Sequence, residues 1–391
     1  MNGDVFILSA ARTPMGSFCK SLGTLSAPCL GSIAIRESVK RADLTAAAID
    51  EVIMGCVLTA GVGQAPARQA ALFADLLPQT PCFTVNKVCG SGLQSVILAA
   101  QSILCGNSTT VVAGGMESMS QAPFLLEKAR SGYRLGHGEM VDSMIKDGLW
   151  DVYNNFHMGN AAELCVKKYQ FSRASLDEFT TESYRRAQHA MKNGFFKDEI
   201  VPVLVPSFRG GVTVKESISQ DEEPYRVVFE KIPSLKPVFE KEGRITAANA
   251  STLNDGAAAL VLSSGQTETA MAKITGWAAY SQEPEWFSTA PVGAIRKLLE
   301  KLNLKTEDFD LFEINEAFAA VTLSAIKDLK LDPSKVNIHG GAVAMGHPIG
   351  ASGARILTTL LYALKRKKLK SGIASICIGG GEALALSIEM L

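Results

Sequence analysis

The sequence predicts an α/β protein made of two copies of one unit, with mostly parallel sheets covered by helices and an inserted domain between the copies. Three observations carry this reading. The segment AIRESVKRADLTAAAIDEVIMG, beginning at Ala34, is echoed by AIRKLLEKLNLKTEDFDLFEIN, beginning at Ala294. The echo stays in register, since Asp50 precedes Ser91 by 41 residues and Asp310 precedes Ser352 by 42. Each serine sits in a small-residue turn that leads into an apolar helix and then a strand ending in glycines, VVAGGMES or ICIGGGEA. Repeated matches in register imply duplication. Alternating strands and helices imply parallel strands covered by helices.

Taken in order, MNGDVFILSAARTP reads as a strand and a turn. The stretches from Ala34 and Ala294 each read as amphipathic helix, short loop and apolar strand. CGSGLQSVILAAQSI and GASGARILTTLLYAL contain helices that are apolar on most sides, so they should pack centrally, related by a pseudo-twofold axis. The first copy is placed at 1–118, the insertion at 119–250 and the second copy at 251–391. Within the insertion, SRASLDEFTTESYRRAQHAMKNGFF reads as a helix, with Ser175 and Glu178 spaced as a capping box. An insertion of this size on a rigid scaffold covers or shapes a binding site.

Composition narrows the function classes. With 391 residues and 47% hydrophobic content the chain suits two or three globular domains. Basic and acidic residues balance at 39 each, which offers no long-range field for nucleic acid. No apolar run reaches the roughly 18 residues of a membrane span. The opening residues lack the features of a secretion signal or an Arg-rich presequence, so a cytoplasmic protein is expected. The cysteines, Cys19, Cys29, Cys56, Cys82, Cys89, Cys105, Cys165 and Cys377, contain no CxxC pair. That argues against a disulfide framework and a redox dithiol. No metal is expected, because two cysteines and a histidine on separate loops lack zinc-site spacing. Walker and dinucleotide fingerprints are also missing.

The residues able to do chemistry fall where strands finish or buried helices begin, the usual place of ligand crevices in α/β folds. Cys89 opens the first buried helix, where the helix dipole and unpaired N–H groups would lower a thiol pKa. It fits an activated nucleophile, or else a packed core thiol. Gly90 and Gly92 would let the backbone approach a ligand. His347, in AVAMGHPIGASG, precedes the second buried helix and reads as a base or as an ordinary loop histidine. Cys377 ends the last apolar strand beside three glycines, whose N–H groups could serve as donors. Asn315, in DLFEINEAF, reads as a site residue or as a helix cap.

Together NKVCGSGLQSV, NEAFA, GHPIGASGARI and CIGGGEALAL resemble the signature blocks of the thiolase family, in family order and over essentially the whole chain. The resemblance implies a five-layer αβαβα fold of two similar halves with a loop domain that binds coenzyme A. It implies Cys89 as the acylated nucleophile and Cys377 as the acid/base at the second substrate's α-carbon. His347 would take the Cys89 proton and later donate to a thioester oxygen. Asn315 would hold a water that polarises the second carbonyl. Backbone N–H groups of Cys89 and Gly379 would form the other oxyanion hole. His157 and Met158, in NNFHMGNAAELC, resemble the His-Met pair of short-chain biosynthetic thiolases. Ser251 resembles the pantetheine-binding serine, and Phe239, with Phe318, an aromatic lining of the cofactor channel. Read alone, Phe239 suits a core, Ser251 a turn and Met158 packing. Arg226 lies near the segment where relatives place an arginine by the adenine, but its spacing is shifted; Trp286 has no role by resemblance.

The implied activity is acetyl-CoA C-acetyltransferase, which joins two acetyl-CoA into acetoacetyl-CoA and free CoA, or runs in reverse. No permanently bound cofactor, nucleic acid or membrane is expected, and family likeness implies a homotetramer, a dimer of dimers. The alternatives are a degradative 3-ketoacyl-CoA thiolase of longer chain range, a ketosynthase, or a non-catalytic acyl-CoA- or lipid-binding relative. Ketosynthases resemble Cys-His-His or Cys-His-Asn sites, and non-catalytic relatives typically lose a catalytic residue.

Overall fold

The computed structural model describes residues 3–209, 212–266, 268 and 270–391. The chain first forms β1 (Phe6–Arg12), β2 (Gly16–Ser17), α1 (Ala27–Arg41), β3 (Glu51–Gly55), α2 (Pro66–Phe73), β4 (Cys82–Val85), α3 (Ser91–Leu104) and β5 (Thr110–Ser118). Two small ribbons follow, β6 (Phe124–Leu125) with β7 (Val141–Asp142) and β8 (Trp150–Asp151) with β9 (Phe156–His157). Next come α4 (Met158–Tyr169), α5 (Arg173–Lys192) and the ribbon of β10 (Val203–Arg209) with β11 (Val212–Ile218). The chain then makes β12 (Asn254–Ser263), β13 (Ala272–Ser281), α6 (Ala290–Leu302), β14 (Leu311–Ile314) and α7 (Ala319–Leu329). It closes with α8 (Ala342–Met345), α9 (Ser352–Lys367), β15 (Ser371–Ile378) and β16 (Glu382–Met390).

Ten strands form one continuous sheet in the order β14-β15-β16-β13-β1-β12-β5-β3-β4, with β2 on β12. The order reads as the same motif twice: β3-β5-β12-β1 mirrors β14-β15-β16-β13. Residues 254–263, which the sequence reading assigns to the second copy, lie in the first half's sheet between β1 and β5. The chain leaves the first half to build the insertion and returns to add its last strand. Along the sequence that strand therefore sits beside β13 and looks like the start of the second copy.

The pairings also correct the expectation of mostly parallel sheets. Parallel ladders join β3 to β4 and β5, and β14 to β15, whereas β1, β12, β13 and β16 pair antiparallel. A short glycine turn joins β15 to β16, and so short a link permits only an antiparallel pair.

Three apolar clusters layer the molecule. One joins α1 and α2 to one face of the first half's sheet, and another joins α6 and α7 to the outer face of the second. The largest fills the middle, where α3 and α9 meet the inner faces of both halves. The result is the five-layer αβαβα arrangement. The duplicated marks have physical partners. Asp50 accepts from the amides of Thr109 and Thr110, and Asp310 from those of Lys370 and Ser371, each tying its strand to a neighbour. Gly92 and Gly353 are reciprocal. A Cβ on Gly92 would lie 2.8 Å from the Ala354 nitrogen, and one on Gly353 would lie 2.4 Å from the Leu93 nitrogen. Of the glycines of CGSG, Gly92 serves the helix crossing and Gly90 lets the turn pack on β15, since a Cβ on Gly90 would strike the Ile378 side chain. That replaces the expectation that Gly90 and Gly92 make room for a ligand.

In the insertion, α5 starts earlier than the predicted capping box. Ser172 is its cap, accepting from the Ser175 amide at 3.0 Å, so Ser175 is an inside residue.

Candidate active site

The turn from β4 into α3 is built around Ser91. Its hydroxyl accepts from the Lys87 amide at 2.8 Å and donates to the Val88 carbonyl at 2.7 Å. Val88 sits at φ 46°, a left-handed conformation unusual for a β-branched residue, costing on the order of 1–3 kcal/mol. The strained turn presents Cys89 two residues before α3 begins at Ser91. An ion pair from Lys87 to Glu382 ties the turn to the glycine turn after β15. Gly380 and Gly381 there adopt φ 92° and 84°, leaving the Gly379 amide aimed at the Cys89 sulfur together with Cys89's own amide.

Those donors do not make a resting thiolate. Burial pushes the Cys89 thiol up to about 11, against the smaller opposing effect of the two amides. The expected depression at a helix mouth is therefore reversed, because desolvation of the sulfur outweighs the dipole. Cys377, the next-to-last residue of β15, is buried and its thiol is also pushed well up, first by burial and then by nearby Cys89. The two thiols are neighbours although they lie in opposite halves.

His347 is buried, and its Nδ1 lies 2.6 Å from the Ser352 hydroxyl, which donates to the Pro348 carbonyl at 2.9 Å. A hydroxyl has one hydrogen, so Ser352 accepts from Nδ1–H and Nε2 keeps its lone pair. Nε2 is buried with no partner among the described residues. Burial, with Arg355 adding to it, pushes the imidazole down to about 3, which keeps the resting ring neutral. Asn315 lies fully buried after β14, its amide nitrogen 3.5 Å from His347 Nδ1. It caps nothing: α7 begins at Ala319 without a side-chain cap.

These groups stand at the end of an apolar pocket of about 650 Å³. Cys89, His347 and Gly379 line it, as do His157, Met158, Phe239, Ser251 and Phe318. Cys377 and Asn315 lie buried behind the wall. His157 caps α4 by accepting from the Gly159 amide at 3.0 Å and stacks on Phe239 with ring centroids 4.8 Å apart. Burial lowers its pKa. Gly159 is required there, because a Cβ would lie 2.3 Å from the Phe239 ring.

Sequence reasoning missed several parts. Phe287, Ile349, Met119 and Leu149 complete the apolar wall. Glu117 is buried and collects amides of Val57, Leu58 and Gly350 at 3.0, 3.1 and 2.9 Å, fixing loops on either side of the pocket. A carboxylate at the end of an apolar strand was the available signal for it. Ser352 was legible only as a repeat mark. Arg226 lies on the pocket rim beside Glu223, and Trp286 is stacked under the Lys168 ammonium at 4.3 Å, a structural contact.

The chain matches two family models, "Thiolase, N-terminal domain" over residues 5–266 and "Thiolase, C-terminal domain" over residues 268–390. It is 49% identical over 394 residues to an acetyl-CoA acetyltransferase of Schizosaccharomyces pombe, covering 100% of this chain and 99% of that protein. Among solved structures it resembles the Acat5 thiolase from Ascaris suum in complex with coenzyme A. There the TM-score is 0.92 and the identity 46%, over 99% of this chain and 100% of that one. It also resembles the Bacillus anthracis acetyl-CoA acetyltransferase, with a TM-score of 0.95 and 40% identity over 100% of this chain and 99% of that one.

Proposed function

The chain belongs to the thiolase family and is an acyltransferase, and from that premise we propose that it condenses two acetyl-CoA into acetoacetyl-CoA and CoA through an acetyl group on Cys89. The reverse thiolysis uses the same groups. The supporting observation is the convergence of Cys89, an unpartnered His347 Nε2 and the Gly379 amide on one apolar pocket, with Cys377 beside Cys89.

A thiol near pKa 11 needs a base at the moment of attack. His347 Nε2 takes the Cys89 proton as sulfur bonds to the thioester carbon. The carbonyl oxygen, now negative, faces the Cys89 and Gly379 amides. The carbon–sulfur bond to CoA then breaks, and His347 passes the proton to the departing thiolate. Coenzyme A leaves and a second acetyl-CoA enters.

His347 Nε2 then takes the Cys377 proton, and the Cys377 thiolate removes that molecule's α-proton. The enolate oxygen meets a water held by Asn315 and the Nε2–H that His347 has just gained from Cys377. Nδ1–H stays on Ser352 at 2.6 Å, and the Asn315 nitrogen, 3.5 Å from Nδ1, keeps its hydrogens for the water. The enolate carbon attacks the acetyl carbon, the bond to Cys89 breaks, and His347 gives its proton to the Cys89 thiolate while Cys377 keeps the α-proton as a thiol. His157, Met158, Phe239, Ser251 and Phe318 hold the pantetheine and limit acyl length. A homotetramer is the proposed assembly, supported by exposed apolar side chains around β6 and β7 such as Phe124, Leu135 and Met140. No described helix is long and apolar enough to cross a membrane, and the cytoplasm is the proposed compartment.

The test is CoA release from acetyl-CoA beside thiolysis of acetoacetyl-CoA and of a C8 ketoacyl-CoA. Activity should fall steeply with length. Equal or better kcat/KM on the C8 substrate would move the chain to the long-range degradative class.

A further inference from the structure

Arg355 is an unusual cation. Its side chain is buried, with the residue 1% exposed, yet it makes no ion pair among the described residues. Among the described residues its Nε and Nη1 have no hydrogen-bond partner, and Nη2 makes one long contact, 3.5 Å to Asn315 Oδ1. Buried guanidinium groups normally pair with a carboxylate in two places. Arg12 nearby does so, bonding Asp221 at 2.7 and 2.9 Å and Glu199 at 2.6 Å. Of the acids around Arg355, buried Glu313 attracts it through space without an ion pair among the described residues, and the others have other work. Glu199 serves Arg12 and Thr359, and Glu316 binds Asn337, Ser183 and the Val343 amide. An unpaired buried cation is costly, and such a group needs a reason.

Its place on α9 supplies one. Ser352 and Arg355 are three residues apart, on one face of the first turns. Ser352 holds His347, and Arg355 meets Asn315. We propose that Arg355 is a positioning residue for the His347–Asn315 pair: its guanidinium takes the Asn315 amide oxygen and so turns the amide nitrogen toward His347 and the reacting thioester. Flipping the amide would set N–H groups against N–H groups. Because Nδ1 of His347 already donates to Ser352, the Asn315 nitrogen keeps its hydrogens for an oxygen between them. The same charge disfavours a second cation on His347, which keeps the imidazole basic in form and neutral. This rests on the condensation reading and extends it.

The test compares Arg355→Met and Arg355→Lys with wild type by Cys89 acetylation, condensation kcat and KM, and the acid limb of the pH profile. The charged groups facing this region are Glu313 and Glu316 beside β14, Glu199, Arg12 with Asp221, and Arg186 on α5. All stay constant across the comparison. The Met variant should lose about 10–100-fold in condensation kcat. Its KM should stay within about threefold and its acetylation of Cys89 should persist, as expected when orientation rather than binding is lost. Its acid limb should move to higher pH, since a cation opposing protonation of His347 is gone. Lysine, which keeps the charge and a donor, should restore most of the rate. Equal behaviour of the two variants, or parallel loss of acetylation and condensation, overturns the proposal. Asn315→Asp tests the contact without relying on activity or on Met folding. A carboxylate there should pair with Arg355 and hold Tm within about 2 °C of wild type or raise it; a clear fall overturns the contact. A wild-type protein that forms no acetyl-Cys89 overturns the condensation reading instead.

Discussion

At Cys89 two opposed effects act on one sulfur. The helix mouth and two amides favour a thiolate, while an apolar wall of Met, Ile, Leu and Phe side chains removes the water that would solvate it. Burial wins, so Cys89 is a protonated thiol until His347 acts. Alkylation of Cys89 by iodoacetamide should then rise about tenfold per pH unit up to roughly pH 9–10. A plateau near pH 7, followed by peptide mass analysis at Cys89, would show a depressed thiol and refute this account. The duties proposed for the two cysteines differ. Forming acetyl-Cys89 moves no α-proton, so Cys377→Ala should keep acetyl-enzyme formation while condensation drops by roughly 10²–10⁴-fold, the scale of a lost general base. Cys89→Ala should abolish both, and His347→Ala should damage both. The check is acetyl-enzyme burst size beside steady-state condensation. Near wild-type condensation by Cys377→Ala would make Cys377 a packed thiol.

At the scale of elements, the site depends on how α3 and α9 cross. Each helix starts with a serine that shapes a catalytic loop: Ser91 props the Cys89 turn, and Ser352 fixes His347. Each serine is followed by a glycine that admits the other helix. Gly353→Ala adds one methyl group within 2.4 Å of backbone at Leu93. Overpacking of this kind costs about 1–3 kcal/mol. Thermal and urea melts should register that loss, and the rate should fall as the two serines are forced apart. Unchanged stability would mean that the crossing is looser than described. The repeat was legible in sequence because its marks, Asp50 with Ser91 and Asp310 with Ser352, keep their spacing. The purpose of the glycines was not legible, because it lies in a partner helix some 260 residues away (Gly92 against Gly353).

Across the whole molecule, folding buries groups whose ionisation then depends on pH. His339 is 4% exposed, its Nε2 has no partner, and Phe195, Phe196 and the Arg366 side chain surround it. Burial pushes its pKa down to about 4, whereas an unfolded histidine titrates near 6.5. Below pH 6.5 the unfolded chain takes up a proton that the folded one refuses, so stability is intact above that value and lost as pH falls toward 4. His347 acts with the same sign. Relative to His339→Phe, the wild-type protein should lose up to about 3 kcal/mol between pH 7 and pH 4. Denaturant melts of both proteins across that range measure it. A constant difference would mean that His339 is solvated or already charged in the fold.

The sequence by itself determined the duplication, the two central helices and which residues are proposed as the catalytic set. Spacing and small-residue turns are local, and Cys89, Asn315, His347 and Cys377 each sit in a recognisable turn. Only the tertiary structure decided how those residues behave. Strand β12 joins the first half rather than the second, because pairing follows sheet geometry and not chain order. The Cys89 thiol is raised rather than lowered, because desolvation is set by walls contributed from distant segments. Asn315 faces a buried Arg355 rather than capping a helix, because residues 40 apart in sequence meet across the layers. Each outcome turns on which atoms exclude water from which others, and that follows from packing between segments that no local pattern relates.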